Sequence, residues 1–100
     1  MRVLAQLLKP VESETPYGGR AVSYEPLGSV WLRLDGRRQR ERTEAGATSA
    51  VEVTIAETRA DARLIEGRVI RFGGADWVIA AIDGDPDRPG RVTLNIERTR

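Results

Sequence analysis

Apolar side chains recur at every second residue along most of this chain, a spacing that dictates strands rather than helices. In RVTLNIER, Val92, Leu94 and Ile96 alternate with Thr93, Asn95 and Glu97. SVWLRLDG sets Val30, Leu32 and Leu34 against Trp31, Arg33 and Asp35. VEVTIAE puts Val51, Val53 and Ile55 on one face, with Glu52, Thr54 and Glu57 bordering the other. Each pattern predicts a strand with one buried and one wetter face. DWVIAAID is apolar on both faces and is expected to be the central strand, paired with RVIRF.

The punctuation agrees with that reading. Gly73-Gly74-Ala75-Asp76 separates RVIRF from WVIAAI at hairpin length, with glycines free to take positive φ. Pro16-Tyr17-Gly18-Gly19 turns a first strand near Val3–Lys9 into a second near Ala21–Glu25. Pro26-Leu27-Gly28 breaks or bulges the chain before Val30, and the run from Asp83 to Gly90 carries two prolines that forbid a ladder. The expectation is an all-β, barrel-like single domain over residues 1–100, with six or seven short antiparallel strands. At most one short helix is expected, at Thr58–Ile65, with Ala60, Leu64 and Ile65 facing inward; an irregular crossing fits that stretch equally.

One stretch breaks the pattern. Residues 36–49, GRRQRERTEAGATS, hold no large apolar side chain, and they carry Arg37, Arg38, Arg40 and Arg42 with Glu41 and Glu44. It is expected to be one long polar loop, of a length uncommon in a small compact domain unless it is functional or disordered. As a projecting arm it would set four arginines against a polyanion or a neighbouring subunit, its two glutamates weakening the field.

Composition narrows the chemistry. The chain has no Cys and no His, which removes disulfides, thiolate metal sites, the usual general base and the Ser-His and Cys-His triads. Basic and acidic residues number 16 and 15, for a net charge of +1, so no global basicity points to nucleic acid. All positive charges except Lys9 are arginines. Nothing is apolar for long enough to span a membrane, and the opening MRVLAQLLKP reads as a strand rather than a signal peptide.

The remaining motifs fail on inspection. Asp83, Asp85 and Asp87 have the first spacings of a calcium loop, but Arg88 stands where glycine is needed and Leu94 where glutamate is needed. Gly18-Gly19 and Gly73-Gly74 lack the Lys-Ser/Thr and following helix of a phosphate loop. Asp76 beside Trp77 reads as a turn residue, and Trp31, Trp77 and Phe72 read as core or interface side chains. No catalytic residue, metal or cofactor is expected.

In order and spacing the chain resembles the head–tail adaptor and head-closure (stopper) proteins of tailed bacteriophages and related gene transfer agents. The likeness is carried by Val30-Trp31-Leu32, by the polar segment with Gly36, Arg40-Glu41 and Ala45, and by Val51-Glu52-Val53-Thr54-Ile55. It continues through Arg68-Val69-Ile70-Arg71-Phe72-Gly73-Gly74-Ala75-Asp76-Trp77-Val78-Ile79 and the closing Arg91-Val92-Thr93-Leu94. The first strand and the Ala56-Glu57 that follows Ile55 depart from the family pattern. The resemblance implies a non-enzymatic neck component of a virion or phage-like particle, assembled in the bacterial cytoplasm. It implies a ring of six or twelve copies that joins the portal and head to the tail and retains DNA. Implied partners are its own copies, a portal or adaptor protein, a tail terminator or tail tube protein, and double-stranded DNA in the channel, with no membrane. By position the arm would meet the channel or the next subunit through Arg37, Arg38, Arg40, Glu41, Arg42 and Glu44. The alternative from another class is a small β-barrel that binds single-stranded nucleic acid, which needs exposed aromatics beside a basic groove.

Overall fold

The structure, a computed structural model, describes the backbone of residues 1–44 and 47–99 and the side chains of residues 1–35 and 51–98. It contains six strands: β1 (Arg2–Glu14), β2 (Arg20–Glu44), β3 (Ala47–Arg59), β4 (Val69–Phe72), β5 (Ala75–Gly84) and β6 (Arg91–Thr99). All pairings are antiparallel, and they close into a barrel in the order β1-β2-β3-β6-β5-β4. No helix occurs among the described residues. Thr58 and Arg59 end β3, and residues 60–68 form the irregular crossing, a strap of isolated turns. Only Leu64 of its three expected inward residues joins the core; Ala60 is exposed and Ile65 half-exposed.

The two strands expected on either side of Pro26-Leu27-Gly28 are one strand. β2 has 25 residues, which at ~3.3 Å each would reach about 80 Å if straight. The longest dimension of the molecule is 50 Å, so β2 must bend. It does so at two register shifts, one opposite Leu7/Leu8 and one between Leu34 and Arg37. At the first, Gly28 has φ +121°, and a Cβ there would fall against Nη1 of Arg63. A side chain is excluded on both counts.

The barrel is filled by alternate residues. Val30 and Leu32 of β2 and Leu94 and Ile96 of β6 point inward as their patterns predict, with Ala5, Leu7, Ile70, Phe72 and Ile79. Trp77 is the largest fully buried side chain, 1% exposed, its ring stacked on Phe72 at 5.7 Å. β3 is the exception to the expected facing. Its inward residues are Thr54, Ala56 and Thr58, whereas Val53 and Ile55 are half-buried on the outer face. The ladder to β6 fixes this, placing Thr54 opposite Ile96, Ala56 opposite Leu94 and Val53 opposite Glu97. The small inward side chains of Thr54, Ala56 and Thr58 fit the interior of a closed barrel that larger side chains from the other strands fill.

β5 is not buried on both faces either. Val78 and Ala80 lie exposed, because a single closed sheet has one interior and no second layer covers its outside. Trp31 is likewise outside, 57% exposed. The Thr54 hydroxyl has no hydrogen-bond partner although the residue is fully buried. Thr54→Val should therefore raise stability by about 1 kcal/mol, since it removes an unsatisfied polar atom at nearly constant volume. Chemical denaturation of both proteins checks this, with an unchanged dependence on denaturant.

Candidate functional site

The polar segment expected as a loop is a ribbon of two strands. Arg37 stands opposite Thr54, Arg38 opposite Val53, Arg40 opposite Val51, Glu41 opposite Ala50, Arg42 opposite Ser49 and Glu44 opposite Ala47. Backbone pairing needs no apolar side chain, so a ribbon wet on both faces shows no hydrophobic period in the sequence. β1 accompanies β2 only as far as Arg33, and β6 accompanies β3 only from Val51 onward. Beyond those points the described residues place no third strand beside the ribbon. The part clear of both neighbours, Glu41–Glu44 with Ala47–Ala50, advances about 10 Å. A second ribbon, Lys9–Glu14 with Arg20–Glu25, leaves the barrel at the other end of β2. These two extensions raise the radius of gyration to 15.0 Å, against about 13 Å for a compact domain of this length.

The structure thus brings the arginine-rich positions together on one projecting element. The side chains of Arg37, Arg38, Arg40, Glu41, Arg42 and Glu44, and all of Ala45 and Gly46, lie outside the described residues.

At the root of the ribbon the chain carries a charge pair that the sequence did not single out. Glu52 is 3% exposed, and its Oε2 accepts from Arg98 Nη2 at 2.9 Å and from Nε at 3.1 Å. The same guanidinium lies over the indole of Trp77, 4.9 Å from its centroid. Glu52 and Arg98 are directly opposed in the ladder, so the ribbon emerges where a buried ion pair seals the barrel mouth. A buried carboxylate is tolerated only when so matched.

The strap that crosses the other mouth is held by one arginine. Arg63 forms a forked pair with Asp61, at 2.7 Å from Nη2 and 3.0 Å from Nε, and its Nη1 donates to the Leu27 carbonyl at 2.8 Å. Thr58 donates its hydroxyl to the Trp31 carbonyl at 2.7 Å. The Arg63 guanidinium, with the Arg63 N–H, holds the Asp61 carboxyl down to about 2. On the outer wall Arg71 pairs with Asp76 at 2.6 Å and lowers that carboxyl also. Partial burial raises the Glu57 carboxyl, but Arg91 and Arg88 outweigh it and the net shift is downward. No group of His, Cys, Asp or Glu among the described residues is arranged to hold a metal ion.

Because the folded value of Asp61 lies below its ordinary 3.8, the pair stabilises the fold fully above about pH 4. That contribution fades as pH falls towards 2. Asp61→Asn should lower the melting temperature at neutral pH, and the gap between the two proteins should close between pH 4 and pH 2. Thermal melting across that range measures it.

A family model described as phage head completion protein matches residues 1–97. No curated protein matches the chain. Among solved structures, a chain from the virion of a native gene transfer agent particle is similar, with a TM-score of 0.71 and 22% identity. The match covers 98% of this chain and 94% of that one, and at this identity it is a likeness of fold.

Proposed function

Since the chain belongs to the phage head completion protein family, and is on that ground a structural component of a phage-type head, we propose that it forms a ring in the neck of the particle. The ring joins the portal end of the head to the tail and helps to retain packaged double-stranded DNA, without catalysis. The observation that carries this reading is the β2–β3 ribbon: the arginines at positions 37, 38, 40 and 42 lie on β2 past the end of β1, and from Glu41 onward the two strands run on with no third strand beside them among the described residues. In a strand of period two, positions 38, 40 and 42 belong to one ribbon face. Cyclic repetition multiplies that charge around a channel, so a cluster that is modest in one copy becomes a belt. Glu41 and Glu44 pair across copies with the arginines of the next ribbon and hold the ribbons in register. The likeness to the gene transfer agent virion chain supports a particle of that kind as readily as an infectious phage.

The rival reading, a solitary barrel that binds single-stranded nucleic acid, needs open aromatic faces. Of the exposed aromatics, Trp31 has Arg2 over its ring at 5.5 Å and Tyr24 has Arg71 at 6.0 Å, while Tyr17 lies apart from them in the turn between β1 and β2.

Replacing Arg37, Arg38, Arg40 and Arg42 together by Ser should leave thermal melting of the barrel unchanged. The yield of DNA-filled, tailed particles should fall roughly tenfold or more, as expected for loss of several phosphate or subunit contacts per copy. Full infectivity or transduction by the variant would contradict the assignment of the ribbon.

A further inference from the structure

β2 and β3 are paired only as far as Arg33 and Glu57. Past that point β2 continues beside β1 and β3 beside β6, so a seam opens in the barrel wall. It encloses a cavity of about 290 Å³, whose lining includes Arg2, Ser29, Trp31, Arg59, Asp61 and Arg91. The Leu34 N–H donates to the Met1 carbonyl. Ladder alternation from that bond turns the main-chain groups of Trp31 and Ser29 away from β1 and towards the seam. The Trp31 carbonyl is taken by Thr58.

The charges at the seam do not balance internally. Arg59 and Arg91 stand directly opposite each other on β3 and β6, an arrangement of like charges that costs stability. Arg91 is matched by Glu57 at 3.3 Å, and Arg63 by Asp61 at 2.7 Å. Arg59 and Arg2 make no ion pair among the described residues. Two uncompensated guanidiniums and an exposed indole therefore converge on one concavity. Arg and Trp are the residue types that dominate the centres of protein interfaces.

We propose that this seam is a docking site for an acidic segment of a partner protein, with a carboxylate against Arg59 and Arg2, the guanidiniums that no acid matches among the described residues, and the neighbouring apolar side chain against Trp31. A protein segment fits better than nucleic acid. Asp61 is part of the lining, and in the adjacent cavity of about 330 Å³ the four acids Asp35, Glu57, Asp85 and Asp87 outnumber Arg33 and Arg88. A duplex carries a charge at every few ångströms and would press its phosphates onto those acids. A single carboxylate avoids them, and the exposed face of Trp31 rewards the apolar side chain beside it. This surface is distinct from the ribbon, and its use does not depend on the ribbon meeting DNA.

Trp31 reports on the site directly, because Trp77 is shielded from solvent and acrylamide quenches only the exposed indole. The probe is a synthetic peptide of alternating Glu and Leu, titrated into the whole protein, with a short DNA duplex of equal total charge as the second arm. The peptide should protect Trp31 from quenching in a saturable manner, and the duplex should not. Arg59→Ser should weaken the peptide effect roughly tenfold, in the range of an interface hot spot. Arg2→Gln, which lies outside the β3–β6 ladder, should act in the same direction and serves if the first variant melts early. Absence of protection, equal protection in both variants, or protection by the duplex would overturn the proposal, while leaving the ribbon reading to its own test.

Discussion

Closing six strands around a single indole is the constraint from which the other features follow. Trp77 is buried inside the ribbon end of the barrel, stacked on Phe72 and covered by the Arg98 guanidinium. β3 turns Glu52, Thr54, Ala56 and Thr58 to the interior. That choice sends Val53 and Ile55 outside and sets the register with β6, which in turn puts Glu52 opposite Arg98 at the barrel mouth. The ion pair then anchors the place where β2 and β3 leave the wall as a ribbon. A chain of this size buries only about two-thirds of its unfolded surface, so a buried aromatic and a sealed mouth carry a large share of its cohesion.

The two mouths are closed by different chemistry. One has the buried Glu52–Arg98 pair beneath the ribbon. At the other, Arg63 ties the strap to β2 through Asp61 and the Leu27 carbonyl, over a glycine that no other residue can replace without displacing the guanidinium. Leu64 drops from that strap into the core. Arginine serves at both ends because a planar, always-charged fork can satisfy a carboxylate and still stack or reach a carbonyl. The arginine-rich composition is thus used in the fold itself as well as in the ribbon.

The sequence disclosed strands where large apolar and polar residues alternate, as on β2 around Leu32 and on β6 around Leu94. It misled on β3, since period two identifies a strand but not which face is inward; β-branched Val53 and Ile55 looked like core, and Thr54, Ala56 and Thr58 did not. The ribbon was legible in its charges and not in its conformation, because a hairpin solvated on both faces is held by backbone bonds alone. Trp31 looked like core and lies outside, for lack of a second layer over the barrel. Glu52–Arg98 and the Arg59–Arg91 opposition arise from register between distant strands, and no local spacing announces them. The family resemblance was carried by the order of elements over nearly the whole chain, which is also where the family model matches.

A ring whose ribbons surround a DNA channel is a statement about position, and electron cryomicroscopy of the assembled particle reads position directly. The account predicts copies of this barrel arranged cyclically between portal and tail, with residues 36–49 directed at the channel or at the next copy. Density for the barrel elsewhere in the particle, or present as an isolated copy, would contradict it.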